Sequence, residues 1–215
     1  LSTAIGALVF TGLGRWTGLS IGALAVPRYD APARPDLADL LWTVPVALVA
    51  AVGIRLVLGL AHRVLPLLRE RVLEVTTLVG LGVGACAALY ALLADRSPDE
   101  VAMSGQMTLP VLVADPQAWA ASALVLVLLF KGVAYALSLA AFRGGAIFPA
   151  VFLGAALGVL VADLPGFGSG PAIAAGMAAA TAAVMRLPIA SILIVTLLLG
   201  APVAAMLPVV LLATV

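Results

Sequence analysis

The chain is poor in charge. Of its 215 residues only 10% are Asp, Glu, Lys or Arg, against 64% that are hydrophobic. A soluble domain needs far more charge to cover its surface, which excludes that class and leaves an integral membrane protein. Alternating strands of about 10 residues are also missing, so a transmembrane barrel is excluded. The apolar runs are long and unbroken, as helical spans require. Cysteine and histidine are almost absent. Cys86 stands alone in an apolar run, which excludes a disulfide framework and a thiolate metal site. His62 is the single histidine; it lies beside Arg63 near the end of a hydrophobic run, with no second metal ligand at helical spacing, and reads as interfacial. The net charge of +1 says nothing about nucleic acid, and no basic cluster is large enough to suggest such a partner. The chain begins at Leu1 without a Met or a charged leader region, and reads as a piece of a longer protein.

What is present is a succession of apolar segments. Leu1 to about Val26 forms a first span, broken in character by Arg15 and Trp16. The loop PRYDAPARPDLAD (Pro27–Asp39) is rich in proline and charge and is expected in water. Trp42 marks the next water–lipid boundary. A long helix follows from about Leu40 to Leu68, with Pro45 in its first turns, where proline is tolerated. At about 1.5 Å per residue it exceeds the bilayer thickness and should tilt. The polar turn Arg69–Arg71 leads to a span from about Leu73 to Ala94, and Asp95–Glu100 to a second aqueous loop. Ser104–Pro116 is too short and polar to cross, and reads as a re-entrant or surface segment. Trp119–Phe142 is another span, with Lys131 near its middle. Basic residues Arg63, Arg69 and Arg71 place their turn in the cytoplasm and the loops around Asp30 and Asp99 outside.

Beyond Gly144 the segments shorten and are punctuated by Gly and Pro: Ala146–Asp163, Pro171–Arg186, Pro188–Gly200, and Pro202 to the end. Several fall short of the roughly 20 residues a crossing needs. Short, interrupted helices are how transporters and channels place helix ends inside a membrane. The fold class is therefore all-α, a polytopic membrane protein with tilted, short and re-entrant helices.

All ten carboxylates fall in loops or at segment ends. A cation pathway usually leaves an acid in the membrane. The intramembrane candidates are basic: Arg55, Lys131 and, at a helix end, Arg186. Such an interior suits an anion, although Arg55 could snorkel and Lys131 could pair with backbone carbonyls. The segment RGGAIFPAVFLGAALG (Arg143–Gly158) sharpens this reading. A helix starting at mid-depth offers N–H groups without intrahelical acceptors and the positive end of its dipole. Gly144 and Gly145 permit a tight bend and a close approach of the backbone, and Pro149 suits a first turn. Gly154 and Gly158 offer a small-xxx-small packing face. The same residues read equally well as a glycine kink between two packed helices.

FRGGAIFPAVFLGAALG resembles the GGxFxP segment and following helix of the CLC family of chloride channels and chloride/proton antiporters. GMAAATAAVMRLPIASILIVTLLLG (Gly176–Gly200) resembles a second family stretch through Arg186, Leu187 and Pro188, and SGQMTLPVLV matches its short segment between long spans. Lys131 lies in a span where the family also carries a basic residue. In order and spacing the resemblance covers essentially the whole chain. It implies half of an inverted-repeat architecture: a preceding helix over 1–26 and the second repeat over 36–215.

The resemblance also implies a function. An inorganic anion, chloride or one like it, would be the transported ligand, with no cofactor and no enzyme chemistry. Backbone N–H groups of Ala146, Ile147 and Phe148 would bind it, Gly144, Gly145 and Pro149 would shape the site, and Lys131 and Arg186 would lend electrostatic support. Ile147 stands where the family has phenylalanine when the glycine and proline are aligned, and Thr196-Leu197-Leu198 replaces an acidic position. The family's GSGIP and GxEGP segments would belong to a missing N-terminal half, and its inner-gate tyrosine to a helix beyond Val215. A homodimer through 1–24 and 189–215, in a bacterial inner membrane, is the implied assembly. The competing readings are an intramembrane enzyme, an assembly subunit whose glycines merely pack helices, and a secondary transporter without an anion site, a cation-coupled one included.

Overall fold

A computed structural model describes residues 35–142, 144–200 and 206–214. The first expected span, Leu1–Val26, the dimer contact assigned to 1–24, and the start of the last expected segment at Pro202 lie outside the described residues. Those described form nine α-helices and one 3-10 turn, with no strand. Three helices are long and apolar enough to cross a membrane, within Leu37–Leu68, Val72–Ala94 and Ala121–Ala141.

Helix α1 (Leu37–Glu70) has 34 residues, or about 51 Å of rise, well beyond a hydrocarbon core of about 30 Å. It begins a turn earlier than the sequence suggests. The Asp36 N–H donates to Asp39 Oδ2 at 2.9 Å, so an acid expected in a loop instead secures the first turn. Pro45 is consequently an interior proline, and so is Pro66. The turn expected over Arg69–Arg71 reduces to Arg71 (φ −140°, ψ 65°), where α1 stops and α2 (Val72–Ala94) starts. Asp95 ends α2 in the left-handed region, at φ 53°.

Short pieces follow, α3 (Asp99–Ala102), α4 (Thr108–Ala114) and the 3-10 turn Pro116–Ala118. The Ser104–Pro116 stretch is thus broken local structure, with nothing long enough to cross. Helix α5 (Ala121–Ala141) packs between α2 and α1. The last four described helices are short: α6 (Ile147–Leu160), α7 (Ser169–Met185), α8 (Pro188–Leu199) and α9 (Leu207–Thr214).

The closest packing is between α6 and α7, which run antiparallel. A Cβ placed on Gly154 would lie 2.3 Å from the Gly176 carbonyl oxygen, and one on Gly158 would lie 2.5 Å from that of Ala172. The two backbones therefore touch, and the small-xxx-small face anticipated at Gly154 and Gly158 is the contact. The α1 helix lies across α7, and its start is stapled to the α6–α7 connection. Asp39 Oδ1 accepts from the Gly168 N–H at 3.2 Å, and Trp42 Nε1 donates to the Pro165 carbonyl at 3.1 Å.

Candidate functional site

The N-terminus of α6 is where the sequence places the site. Helix α5 ends at Ala141; its cap Phe142 turns extended (φ −114°, ψ 148°) and donates its N–H to the Ser138 carbonyl at 2.8 Å. Gly144 and Gly145 are exposed and not helical, and α6 opens at Ile147. The expected break between two helices is present. Ala146, the N-cap, already has helical dihedrals (φ −78°, ψ −17°). The caps of α5 and α7 are extended instead, Ala120 at ψ 143° and Gly168 at ψ 152°. With Ala146 turned into the helix, its N–H points along the axis like those of Ile147 and Phe148. Pro149 takes the third helical position, where the missing N–H has no intrahelical acceptor to lose.

Gly145 is not among the described glycines with positive φ, and a Cβ on Gly144 or Gly145 would meet nothing within 4 Å. Both glycines line a cavity with Pro149 just ahead of α6.

Lys131 is 1% exposed, and its Nζ donates to the Glu100 and Met103 carbonyls, each at 2.7 Å. It caps the end of α3, the pairing foreseen as the structural alternative. The ammonium also sits over the Phe152 ring of α6, 4.7 Å from its centroid. That ring is pressed onto Gly105 (φ +93°), where a Cβ would fall 2.8 Å from Phe152 Cβ. Lys131 nevertheless shares a cavity of about 190 Å³ with Tyr135, Ser138, Gly144, Gly145 and Pro149. Arg186 does not join it. It caps α7 in the left-handed region (φ 55°), is exposed, and lines a different cavity with Pro188 and Thr214, although at the same end of the α6–α7 pair.

Two acids expected in aqueous loops are buried, Asp39 at 5% and Glu100 at 8% exposure. Each is satisfied by directed donors. Glu100 accepts from Arg96 Nε at 3.0 Å and from the Tyr90 hydroxyl, and the Arg96 guanidinium stacks 3.6 Å from the Trp119 ring centroid. Sequence reasoning also passed over Tyr135, whose hydroxyl donates to the Ala146 carbonyl at 2.6 Å. The signal was available: Tyr135 stands four residues after Lys131, on the same helical face, and a buried tyrosine hydroxyl needs a partner.

A break between helices, an entry of open space and small-residue packing behind it are the geometry of the stretch on which the family resemblance rests. The family model described as voltage gated chloride channel matches residues 1–215. The chain belongs to that family. No curated protein and no solved structure matches it. Membership makes it an integral membrane protein of a family of chloride channels and chloride/proton antiporters, whose members carry anions across a bilayer. The start of α6, with Gly144, Gly145 and Pro149 lining a cavity, is the stretch that carries the family resemblance.

Proposed function

We propose that this chain forms one wall of an anion pathway, the C-terminal half of a pore whose other half is an N-terminal repeat of the same protein. Chloride or a similar anion is held by the N–H groups of Ala146 and Ile147, with Phe148 beside them, and passes as a channel ion or in exchange for protons. No cofactor takes part. The observation that carries this reading is the helical conformation of Ala146 directly after two exposed glycines. It aligns consecutive amide donors at the start of α6, and helix N-termini so arranged receive anions. Lys131 adds a buried positive charge along the same cavity. The host membrane is a bacterial inner membrane in this reading.

The test uses the full-length protein and chloride itself. Proline at 146 fits the observed φ of −78°, so Ala146→Pro removes one donor with little strain. A hydrogen bond to a charged partner is worth about 1.5–3 kcal/mol, so chloride affinity by calorimetry should fall about ten- to a hundredfold. Gly145→Val should keep the fold, since its Cβ meets nothing within 4 Å, yet obstruct the ion. Ile147→Ala removes bulk and no donor, and should alter flux from vesicles while leaving binding nearly intact. If Ala146→Pro binds chloride as tightly as the parent, the donor site is wrong.

Assembly as a homodimer through 1–24 and 189–215 belongs to the same proposal. In its support, Ile189, Leu193 and Leu197 form one exposed apolar face of α8, 76%, 57% and 75% exposed. Cysteines placed along Ile189–Leu199 should cross-link between subunits. Cross-links obtained only from Leu40–Leu68 would contradict that interface.

A further inference from the structure

We infer that Tyr135 is a positioning residue for the anion-binding amide of Ile147, an inference that rests on the donor site proposed above. The Tyr135 hydroxyl donates to the Ala146 carbonyl at 2.6 Å. That carbonyl and the Ile147 N–H belong to one peptide unit, and no described peptide bond is cis. In a planar trans peptide the two groups point in opposite directions. Fixing the oxygen from one side therefore fixes the direction of the N–H on the other.

The same hydrogen bond polarises the peptide unit, since donation to a carbonyl strengthens the donor at the other end of the amide. The N-cap carbonyls of Ala120, Gly168 and Leu187 accept from the amide four residues on, each at 3.0 Å, and that of Leu187 also accepts from the Ser191 hydroxyl at 3.0 Å. Those donors belong to the helix being capped, whereas the Tyr135 hydroxyl reaches the α6 cap from a different helix, α5.

Tyr135 is built as a rigid support. The residue is 5% exposed and belongs to a packed cluster with Ile54 of α1, Ala150 and Leu153 of α6, and Ala180 of α7. Three helices therefore hold the ring that holds the peptide. The arrangement ties the ion-facing amide to the α6–α7 contact, so that shifts of α1 or α5 reach the donor through one hydroxyl.

The experiment is Tyr135→Phe in the full-length protein, which keeps the ring and removes the hydroxyl. Chloride binding is read by calorimetry, the chloride-to-nitrate flux ratio from vesicles, and folding by thermal melting in detergent. Loss of one neutral hydrogen bond should weaken chloride binding about three- to tenfold. The flux ratio should move as well, because a spherical and a planar anion depend differently on the direction of the donor, and the melting point should stay close to the parent's. A Tyr135→Phe protein that binds chloride like the parent, while Ala146→Pro has lost binding, overturns the role of Tyr135 and leaves the donor site standing. If both variants bind like the parent, the donor site fails and the inference with it. Weaker binding with an unchanged flux ratio and a lowered melting point identifies general loosening and also overturns the positioning role.

Discussion

Helices α7 and α2 are both nearly pure hydrocarbon, yet they sit in the molecule in opposite ways. Every residue of α7 from Gly170 to Thr181 is buried. In α2 the buried residues are Val79, Ala87 and Tyr90, while Leu73 and Leu92 are 84% and 80% exposed. In water, the leucine-rich helix would be the one driven inward. In a bilayer, lipid tails are as apolar as leucine, so burial of large side chains supplies no drive between helices. What brings helices together is close approach, and small residues permit it. The contact of Gly154 with Gly176 places α6 and α7 at the centre and leaves the leucines of α1 and α2 outward.

The sharpest test of that contrast exchanges one glycine in each region. Gly176→Val would put a Cβ 2.1 Å from the Gly154 carbonyl oxygen, and α6 and α7 would have to separate. The expected cost is at least about 3 kcal/mol, with aggregation or a large fall in melting temperature in detergent. Gly84→Val in α2 meets nothing within 4 Å and should change stability by less than about 0.5 kcal/mol. Equal melting of the two variants would mean that the α6–α7 backbones are not in contact.

Next in size is Lys131→Met, which removes a buried ammonium and leaves two carbonyls without their donor. A loss of about 1.5–3 kcal/mol is expected, measured by the same melts. Lys131→Arg should not restore it, because a planar fork cannot replace a compact ammonium between two carbonyls. A smaller effect, about 1 kcal/mol, is expected for Trp42→Phe, which cuts the bond from α1 to Pro165. Hydrogen exchange at the start of α1 should rise in that variant; unchanged protection would show that the staple is dispensable. The smallest effect belongs to Arg71→Ala. Its pair with Glu74 is long-range screened, with the two side chains 71% and 67% exposed, so the melting curve should move by no more than about 0.5 kcal/mol. A larger shift would give the α1–α2 turn a structural weight that its exposure does not suggest.

The features that could be read from the sequence are local ones. The breaks after Phe142 and Arg186 announce themselves through Gly144–Gly145 and Leu187–Pro188, because backbone preference is settled within a few residues. The small-residue face of α6 is visible in the spacing of Gly154 and Gly158. Asp39 was misplaced in a loop because its burial depends on the Gly168 amide, 129 residues along the chain. Glu100 was misplaced although its donors are near in sequence, Arg96 four residues and Tyr90 ten residues before it, because only the packing of α3 against α2 brings them onto its carboxylate. At the candidate site, the α6 start and Pro149 were legible. Tyr135 was not singled out, since its partner is a carbonyl, and carbonyls leave no mark in a sequence.

Composition alone determined that this is a helical membrane protein, and the Gly/Pro punctuation marked to within a few residues where α6, α7 and α8 begin. Those outcomes follow from solvation and from backbone sterics, which act residue by residue. Only the tertiary structure decided which apolar helices face inward, because hydrophobicity is almost uniform along the chain and cannot encode a direction. It also decided the fate of the charges. Lys131 is fixed on the α3 carbonyls beside the α6 N-terminus, while Arg186 is exposed at a separate cavity. A charge in an apolar interior is governed by the partners that packing brings within reach, and those partners come from distant parts of the chain.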